Sequence, residues 1–183
     1  MTQFNYDSLF AANAPITTRG ANRNARYDFA VAYPDPDTLP LEGLVDSLRV
    51  ALEREGRDLA YYPVAAGYPP LRELVADKLR RDREMDVSAE DIILTSGSGE
   101  AINMLIQALT DPGDVLLTEE YVYLGTMRQM RLWSAQVVGV KCDDQGLIPE
   151  ALDETIRAKT AAGKRVKFLY TIPTFQNPQG WTM

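Results

Sequence analysis

Residues 92–118, IILTSGSGEAINMLIQALTDPGDVLLT, decide the fold class of this chain. The first four residues are a short aliphatic run, which predicts a β-strand at 92–95. Residues 100–110 repeat apolar side chains at three- and four-residue steps, which predicts a helix with one inward face. A second aliphatic run at 115–118 follows the turn Asp-Pro-Gly-Asp. The stretch therefore predicts strand, helix and strand, with these helix residues turned inward: Ile102, Leu105, Ile106 and Leu109.

The same alternation continues to residue 170. Helical periodicity at 123–133 and 149–162 alternates with β-type runs at 136–141 and 166–170. Strands separated by helices of this length imply right-handed crossovers and a largely parallel sheet with helices on both faces. The predicted fold class is therefore α/β.

The N-terminal part of the chain differs in its pattern of apolar residues. Residues 1–26 lack apolar periodicity and predict an irregular N-terminal arm, whereas residues 27–183 predict the folded body. Within that body, amphipathic spacing predicts one helix at 41–56, ended by Gly56, and another from about Pro70.

Composition excludes several classes of function. The formal charge is -7, so nothing in the overall electrostatics favours nucleic acid. The chain has no histidine and one cysteine, Cys142, which excludes His-dependent nucleophilic catalysis, His-ligated metals and an internal disulfide. Neither a secretory signal nor a stretch of membrane-spanning length occurs. We expect a cytoplasmic protein with no membrane or nucleic-acid partner.

Three weak signals follow predicted strands or open predicted helices. Ser98-Gly99-Glu100 begins a helix and could bind phosphate through backbone N–H groups, although such a turn is more often an ordinary cap. Tyr123 could cover a flat heterocycle or simply pack against the sheet. Asn177, held between two prolines, could donate to a ligand oxygen or merely form a turn. Because parallel strands end at one edge, together they predict a site for a planar phosphate ester.

The order of five motifs resembles one family, the fold type I pyridoxal-phosphate aminotransferases of class I/II. It is most similar to the branch of 2-aminoadipate, aromatic and multi-substrate transaminases. The resemblance extends from about residue 27 to residue 183. The motifs are YPVAAGYPPLR at 62–72, TSGS at 95–98, DPGD at 111–114, EYVY at 120–123 and PTFQNPQG at 173–180.

This resemblance implies roles for the three signals, with pyridoxal 5'-phosphate as the cofactor. The backbone and hydroxyl of Ser98, with Gly99 and Glu100, would hold the phosphate. Tyr123 would stack on the pyridine ring, and Asn177 would hydrogen-bond the phenolic oxygen. The sequence departs from the family pattern at Gly99, where a longer polar residue is common, and at Asn-Pro-Gln-Gly, where Asn-Pro-Thr-Gly is commoner.

Two further residues take roles from the resemblance. Tyr62 would reach the cofactor phosphate of a neighbouring subunit, which implies a homodimer. Ala32 would lie in the segment whose backbone passes near the substrate carboxylate. The implied substrates are an amino acid and a 2-oxo acid.

The resemblance also implies that essential parts lie beyond Met183. These parts are the Schiff-base lysine, the aspartate that pairs with the pyridine nitrogen and the arginine that binds the substrate carboxylate. None of the five lysines of the chain has the family's setting, so no catalytic residue is assigned. The predicted strand at 92–95 would be separated from the other strands by later sequence, leaving a gap in the sheet. We therefore expect the first half of an enzyme, inactive alone.

Three alternatives remain open from the sequence. The chain could be a non-catalytic fragment that pairs with a complementary chain. It could be a related fold type I lyase or synthase, since these share the same cofactor cradle. A transcription regulator built on this fold is a third alternative, although the roughly 26 residues before the body are too few for a winged helix.

Overall fold

The computed structural model describes residues 9–11, 14, 26, 34–133 and 135–183. The described residues divide into two compact units, and residue 94 is the last of the first unit. Residues 34–94 belong to the first unit and residues 95–183 to the second. Most of the predicted arm at 1–26 lies outside the described residues, and Ala32 lies outside them as well. Both assignments stay predictions.

The first unit contains two α-helices where amphipathic spacing predicted them. Helix α1 (Leu41–Glu55) ends against Gly56, whose φ of 52° is favourable for glycine. Helix α2 (Pro69–Arg83) begins with two prolines, which suit the first turn of a helix. The elements are the 3₁₀ helix Pro36–Thr38, α1 Leu41–Glu55, the 3₁₀ helix Gly56–Ala60, α2 Pro69–Arg83 and the 3₁₀ helix Ala89–Asp91.

A buried arginine fixes α2 to the segment that follows it. Arg72 is 6% exposed and donates to the carbonyl of Ile92 at 2.8 Å and to that of Ala89 at 2.6 Å. The apolar stripe of α1, in contrast, remains exposed, with Leu44 and Leu48 each 59% accessible. The spacing therefore predicted the helix correctly, but none of its described residues is buried.

The predicted strand at 92–95 is wrong. The backbone at Ile92 is extended, and the N–H of Leu94 donates to the carbonyl of Ala66 at 2.9 Å. A strand needs a neighbouring strand to exchange backbone hydrogen bonds, and no described strand pairs with this segment. Ile93 is accordingly 60% exposed.

The second unit is built around a parallel sheet of three strands, β1 Val115–Glu119, β2 Gln136–Val140 and β5 Val166–Tyr170, in the order β2-β1-β5. In the central strand, Leu117 lies opposite Val138 on one side and Leu169 on the other. Strands β3 (Cys142–Asp143) and β4 (Gly146–Leu147) form a small antiparallel hairpin that the sequence did not predict. The elements are α3 Ser98–Leu109, β1 Val115–Glu119, α4 Leu124–Leu132, β2 Gln136–Val140, β3 Cys142–Asp143, β4 Gly146–Leu147, α5 Pro149–Ala161 and β5 Val166–Tyr170.

Helices cover both faces of the sheet, which confirms the α/β class. All five residues of β1 are buried, as expected for a central parallel strand. On one face Leu116 packs with Ile106 of α3 and Met130 of α4. On the other face Leu117 packs in a cluster that includes Leu152 of α5.

Helix α3 contacts the sheet through a narrower face than its spacing predicted. Ile106 is fully buried and Ile102 packs beside it. Leu105 and Leu109, predicted to turn inward, are 57% and 47% exposed. They line an apolar cavity of about 250 Å³ that is also lined by Phe168 of β5. Among the described residues no helix combines the length and apolar character that crossing a membrane requires.

An ion pair joins the strands at the amino edge of the sheet. Arg165 lies just before β5, and Asp114 lies just before β1. The Nε of Arg165 donates to Oδ1 of Asp114 at 2.7 Å. Arg165 also bonds Asp111, whose N–H donates to Asp114 at 2.9 Å. Hydrogen bonding from Arg165, followed by the N–H of Asp111 and nearby positive charge, holds the pKa of Asp114 below its usual range.

The ion pair predicts a pH-dependent stability difference between the wild type and Arg165→Gln. Because the folded-state pKa of Asp114 is lowered, its contribution is complete above the unfolded-state value of about 3.9 and is lost as pH falls through the folded value. Urea unfolding should show the wild type more stable at pH 7, with the difference shrinking below pH of about 4. A difference that grows on acidification would contradict this assignment.

Candidate functional site

The carboxyl ends of β1 and β5 meet at one edge of the sheet. Thr118 lies opposite Tyr170, so the chain leaves both strands side by side. From β1 the chain passes through residues 119–123 into α4, and from β5 it passes through residues 171–183. In parallel sheets this edge is where ligands bind.

A buried carboxylate joins the two segments that leave this edge. Glu119, the last residue of β1, is 0% exposed. Its Oε1 accepts hydrogen bonds from the hydroxyl of Thr171 and from the N–H of Ile172, the latter at 2.7 Å. Its Oε2 accepts from the Nε2 of Gln176 at 2.7 Å. A buried carboxylate is stable only when such donors replace water, and here both oxygens have them.

Gln176 extends this connection to the turn that contains Asn177. Gln176 is 2% exposed, and its Nε2 also donates to the carbonyl of Tyr121 at 2.6 Å. Its Oε1 accepts from the N–H of Gln179 at 2.8 Å. The side chain therefore bonds both the end of β1 and its own turn. Asn177 itself is exposed, and its carboxamide has no hydrogen-bond partner within residues 34–133 and 135–183.

The start of α3 provides the geometry of an anion site. Helix α3 begins at Ser98 after Gly97, which has a φ of 83°, and no described side chain caps it. The first N–H groups of an α-helix have no acceptor within the helix, so those at Ser98 and Gly99 are available to an anion. Ser98, Gly99 and Glu100 are all exposed. The carboxylate of Glu100 accepts from the N–H of Ser96, so its own side chain faces back onto the preceding loop.

Tyr123 lies at the start of α4, immediately after the carboxyl end of β1. It is the residue before the first helical position, and it is 51% exposed. Its ring lies over Gly125, because a Cβ built on that glycine would be 2.8 Å from the Cζ of Tyr123 and closer still to Cε1. A glycine at this position therefore leaves the space that the tyrosine ring occupies.

The overlap predicts the effect of Gly125→Ala. The added methyl group should rotate the half-exposed Tyr123 ring away from its present position at little cost in folding stability. The resemblance of the sequence implies that this ring stacks on pyridoxal phosphate. On that expectation the affinity for pyridoxal phosphate should fall by about five- to tenfold, as for a lost aromatic contact. Fluorescence titration measures the affinity. Tyr123→Ala should weaken binding similarly, and Gly125→Ala should then add little to it.

Hydrogen bonds also fix α4 to the first two turns of α3. The Nε2 of Gln129 donates to the carbonyl of Gly99 at 3.1 Å, and the Nε1 of Trp133 donates to Oδ1 of Asn103 at 3.0 Å. The helix that begins beside Tyr123 is thus held against the helix that begins at Ser98.

The structure connects most of the residues predicted from the sequence. Ser98, Gly99, Glu100, Tyr123 and Asn177 all lie in the second unit, on segments joined by the contacts above. Tyr62 belongs to the first unit and is fully exposed. Ala32 lies outside the described residues.

Sequence reasoning missed the buried residues that hold the site segments. Glu119 and Gln176 were not singled out, nor was Gln129. One signal was present for Glu119, because a carboxylate that directly continues an aliphatic strand must find donors if the strand is central. Nothing in the sequence indicated that Gln176 would supply one of them.

Cys142 is not suited to act as a nucleophile. It is partly buried beside a cavity of about 500 Å³ that is also lined by Glu120, Asp143 and Trp181. Burial, followed by the nearby carboxylates of Glu119, Glu120 and Asp143, raises the pKa of the thiol. Among the described residues no group of His, Cys, Asp or Glu is arranged to bind a metal ion.

The chain matches a known protein family over most of its length. The model of the family "Aminotransferase class I and II" matches residues 32–183. The chain belongs to the class I and II aminotransferase family. Pyridoxal phosphate is the cofactor of this family, as its solved members bound to forms of that cofactor illustrate.

Relatives within the family include an enzyme named aromatic-amino-acid aminotransferase 1, from Thermococcus litoralis. It is 33% identical over 150 residues, which cover 82% of this chain and 36% of the relative. The chain thus spans little more than a third of the length of this relative, and the same holds for the 2-aminoadipate transaminase of Thermus thermophilus.

Two solved structures share the fold of the chain. The kynurenine aminotransferase of Pyrococcus horikoshii, in complex with PMP, superposes with a TM-score of 0.74 at 33% identity, covering 82% of this chain and 37% of that structure. The α-aminoadipate aminotransferase of Thermus thermophilus, complexed with N-(5'-phosphopyridoxyl)-L-leucine, has a TM-score of 0.72 at 31% identity, with coverages of 84% and 37%.

Proposed function

We propose that the protein is a pyridoxal-phosphate-dependent aminotransferase that moves an amino group between an amino acid and a 2-oxo acid. The observation that supports this most directly is that hydrogen bonds join the segments that carry three groups. These groups are an uncapped helix start, an exposed tyrosine ring and an unpartnered carboxamide. Membership of the family supports the same conclusion.

The chemistry of these groups fits the cofactor. The free N–H groups at Ser98 and Gly99 and the Ser98 hydroxyl would bind the phosphate, with the Glu100 backbone completing the turn. Tyr123 would stack on the pyridine ring, and Asn177 would donate to the phenolic oxygen. When bound, the cofactor supplies an electron sink that makes the α-proton of an amino acid removable. This chain's residues would orient the ring and stabilise its charges for that chemistry.

No lysine of the described part of the chain is assigned to catalysis. Lys78 pairs with Asp82 on the surface of α2, and Lys167 lies 4.0 Å from Asp114 at the amino edge of the sheet. The aldehyde-binding lysine and the arginine for the substrate carboxylate stay predictions from the resemblance. The role of Ala32 beside the substrate carboxylate is proposed on the same ground.

A homodimer is the proposed assembly, with Tyr62 reaching the phosphate of the neighbouring subunit. The side chain of Tyr62 is fully exposed, and its neighbours Tyr61 and Val64 are 76% and 55% exposed. An exposed aromatic and aliphatic cluster of this kind is typical of a surface that another protein covers. The single cysteine fits a reducing compartment, and the cytoplasmic location predicted from the sequence also stays a proposal.

Absorbance spectroscopy of the full-length protein, meaning this chain with any residues that continue it beyond Met183, tests the proposed function. Pyridoxal phosphate should bind and produce a visible absorbance band that differs from that of free cofactor, and addition of an amino acid should convert this band. A panel of aromatic, acidic and aliphatic amino acids would identify the donor. Absence of a band, or a band that no amino acid changes, would reject the proposal.

A further inference from the structure

We propose that Glu119 and Gln176 are positioning residues that hold Asn177 in the orientation required to contact the cofactor. The inference rests on the proposed function, because it assumes that Asn177 donates to the phenolic oxygen of pyridoxal phosphate. It adds two residues that touch neither cofactor nor substrate and that act through the turn containing Asn177.

Burial is the first reason to give Glu119 such a role. A carboxylate at 0% exposure is rare unless its hydrogen bonds are fully satisfied. Here one oxygen accepts from Thr171 and Ile172, and the other accepts from Gln176. The donors lie on both sides of the segment 173–175, so the carboxylate holds this segment at its entry and at its exit.

The carboxamide of Gln176 gives this connection a defined orientation. Its Nε2 donates to Glu119 and to the carbonyl of Tyr121, while its Oε1 accepts from the N–H of Gln179. Turning the amide over would place its oxygen against two acceptors and its nitrogen against a donor. Gln176 therefore has one satisfied orientation, and the next residue along the chain is Asn177.

The sheet contains a second connection that serves as a control. At its amino edge Arg165 joins the segments before β1 and β5, as Glu119 joins the segments after them. A purely structural role predicts that breaking either connection has the same kind of effect. A positioning role predicts that only the loss of Glu119 changes the cofactor site.

Glu119→Gln in the full-length protein is the main test. The variant keeps the size of the side chain but replaces one acceptor oxygen with an N–H₂ group, which must face either Gln176 or the N–H of Ile172. The dissociation constant for pyridoxal phosphate should rise about tenfold. Arg165→Gln at pH 7 should lower the unfolding temperature and leave this constant unchanged.

A double-mutant cycle separates positioning from general destabilisation. Asn177→Ala alone should weaken cofactor binding, and Glu119→Gln should then add less than about a twofold further loss, because both variants remove the same contact. The pH at which the absorbance of the bound cofactor changes should rise in both single variants, since a donor to the anionic phenolic oxygen is lost. Arg165→Gln should not shift it.

Thr171→Val provides a milder variant if Glu119→Gln does not fold. It removes a single donor to Glu119 at nearly constant volume, and a rise of about threefold in the dissociation constant is expected. The inference is overturned if Thr171→Val and a folded Glu119→Gln bind cofactor like the wild type while Asn177→Ala does not. Additive effects of Glu119→Gln and Asn177→Ala would also overturn it. A wild type that fails to bind pyridoxal phosphate would instead reject the proposed function.

Discussion

Ile106→Ala should destabilise the 183-residue chain by about 3 kcal/mol, because it removes three carbons from a site with no solvent exposure. Ile106 is the residue through which α3 packs on the central strand, where it contacts Leu116 and Met130. These neighbours come from two different elements, β1 and α4, and cannot both move to fill the space. The loss should therefore include the free energy of a cavity as well as that of transfer from water.

Leu105→Ala is the matched control for this substitution. Leu105 precedes Ile106 on the same helix and loses the same number of carbons on truncation, but it is 57% exposed. Its replacement should cost about 1 kcal/mol or less, because little apolar area is lost from the folded state. Urea unfolding followed by circular dichroism measures both values. Equal costs for the two variants would show that α3 packs through a different face.

Asn177→Ala should raise the dissociation constant for pyridoxal phosphate about ten- to a hundredfold in the full-length protein, the range expected for a lost hydrogen bond to a charged group. The carboxamide of Asn177 is exposed and has no partner among the described residues, so its removal breaks no hydrogen bond of the folded chain. The unfolding temperature without cofactor should therefore hardly change.

Gln179→Ala is the control for this second prediction. Gln179 belongs to the same turn, but it bonds Gln176 through its backbone N–H, which the substitution keeps. Cofactor affinity should remain within about twofold of the wild-type value. If Gln179→Ala weakens binding as strongly as Asn177→Ala, the loss reflects disturbance of the turn and not removal of one donor.

Much of the fold could be predicted because it depends on local patterns. The three-strand core at 115–119, 136–140 and 166–170 and the five α-helices lie within one or two residues of the positions that hydrophobic spacing predicted. The hairpin of β3 and β4 was missed, since two-residue strands carry no periodic signal. The strand at 92–95 was wrongly predicted. An aliphatic run favours extended backbone, but a strand also needs a neighbouring strand, and no described strand pairs with this segment.

In the candidate site, too, short motifs could be recognised from the sequence, whereas contacts between distant residues could not. The Ser-Gly-Ser-Gly turn at 96–99, Tyr123 and Asn177 were recognisable because each is a short motif at the end of a predicted element. The role of Gly125 is evident only in the structure, where the Tyr123 ring occupies the space that a Cβ at this position would fill. The connection between Glu119 and Gln176 joins residues 57 positions apart, which no local pattern indicates.

The sequence by itself determined the α/β class, the five described α-helices, the three strands of the parallel sheet and the family, because periodicity and motif order are properties of consecutive residues. Only the tertiary structure decided that Ile106 is buried while Leu105 is exposed, and that Glu119 receives its hydrogen bonds from the segment after β5. Burial and hydrogen-bond pairing depend on which distant segments come together. That choice belongs to the packing of the whole sheet and not to any single stretch of the chain.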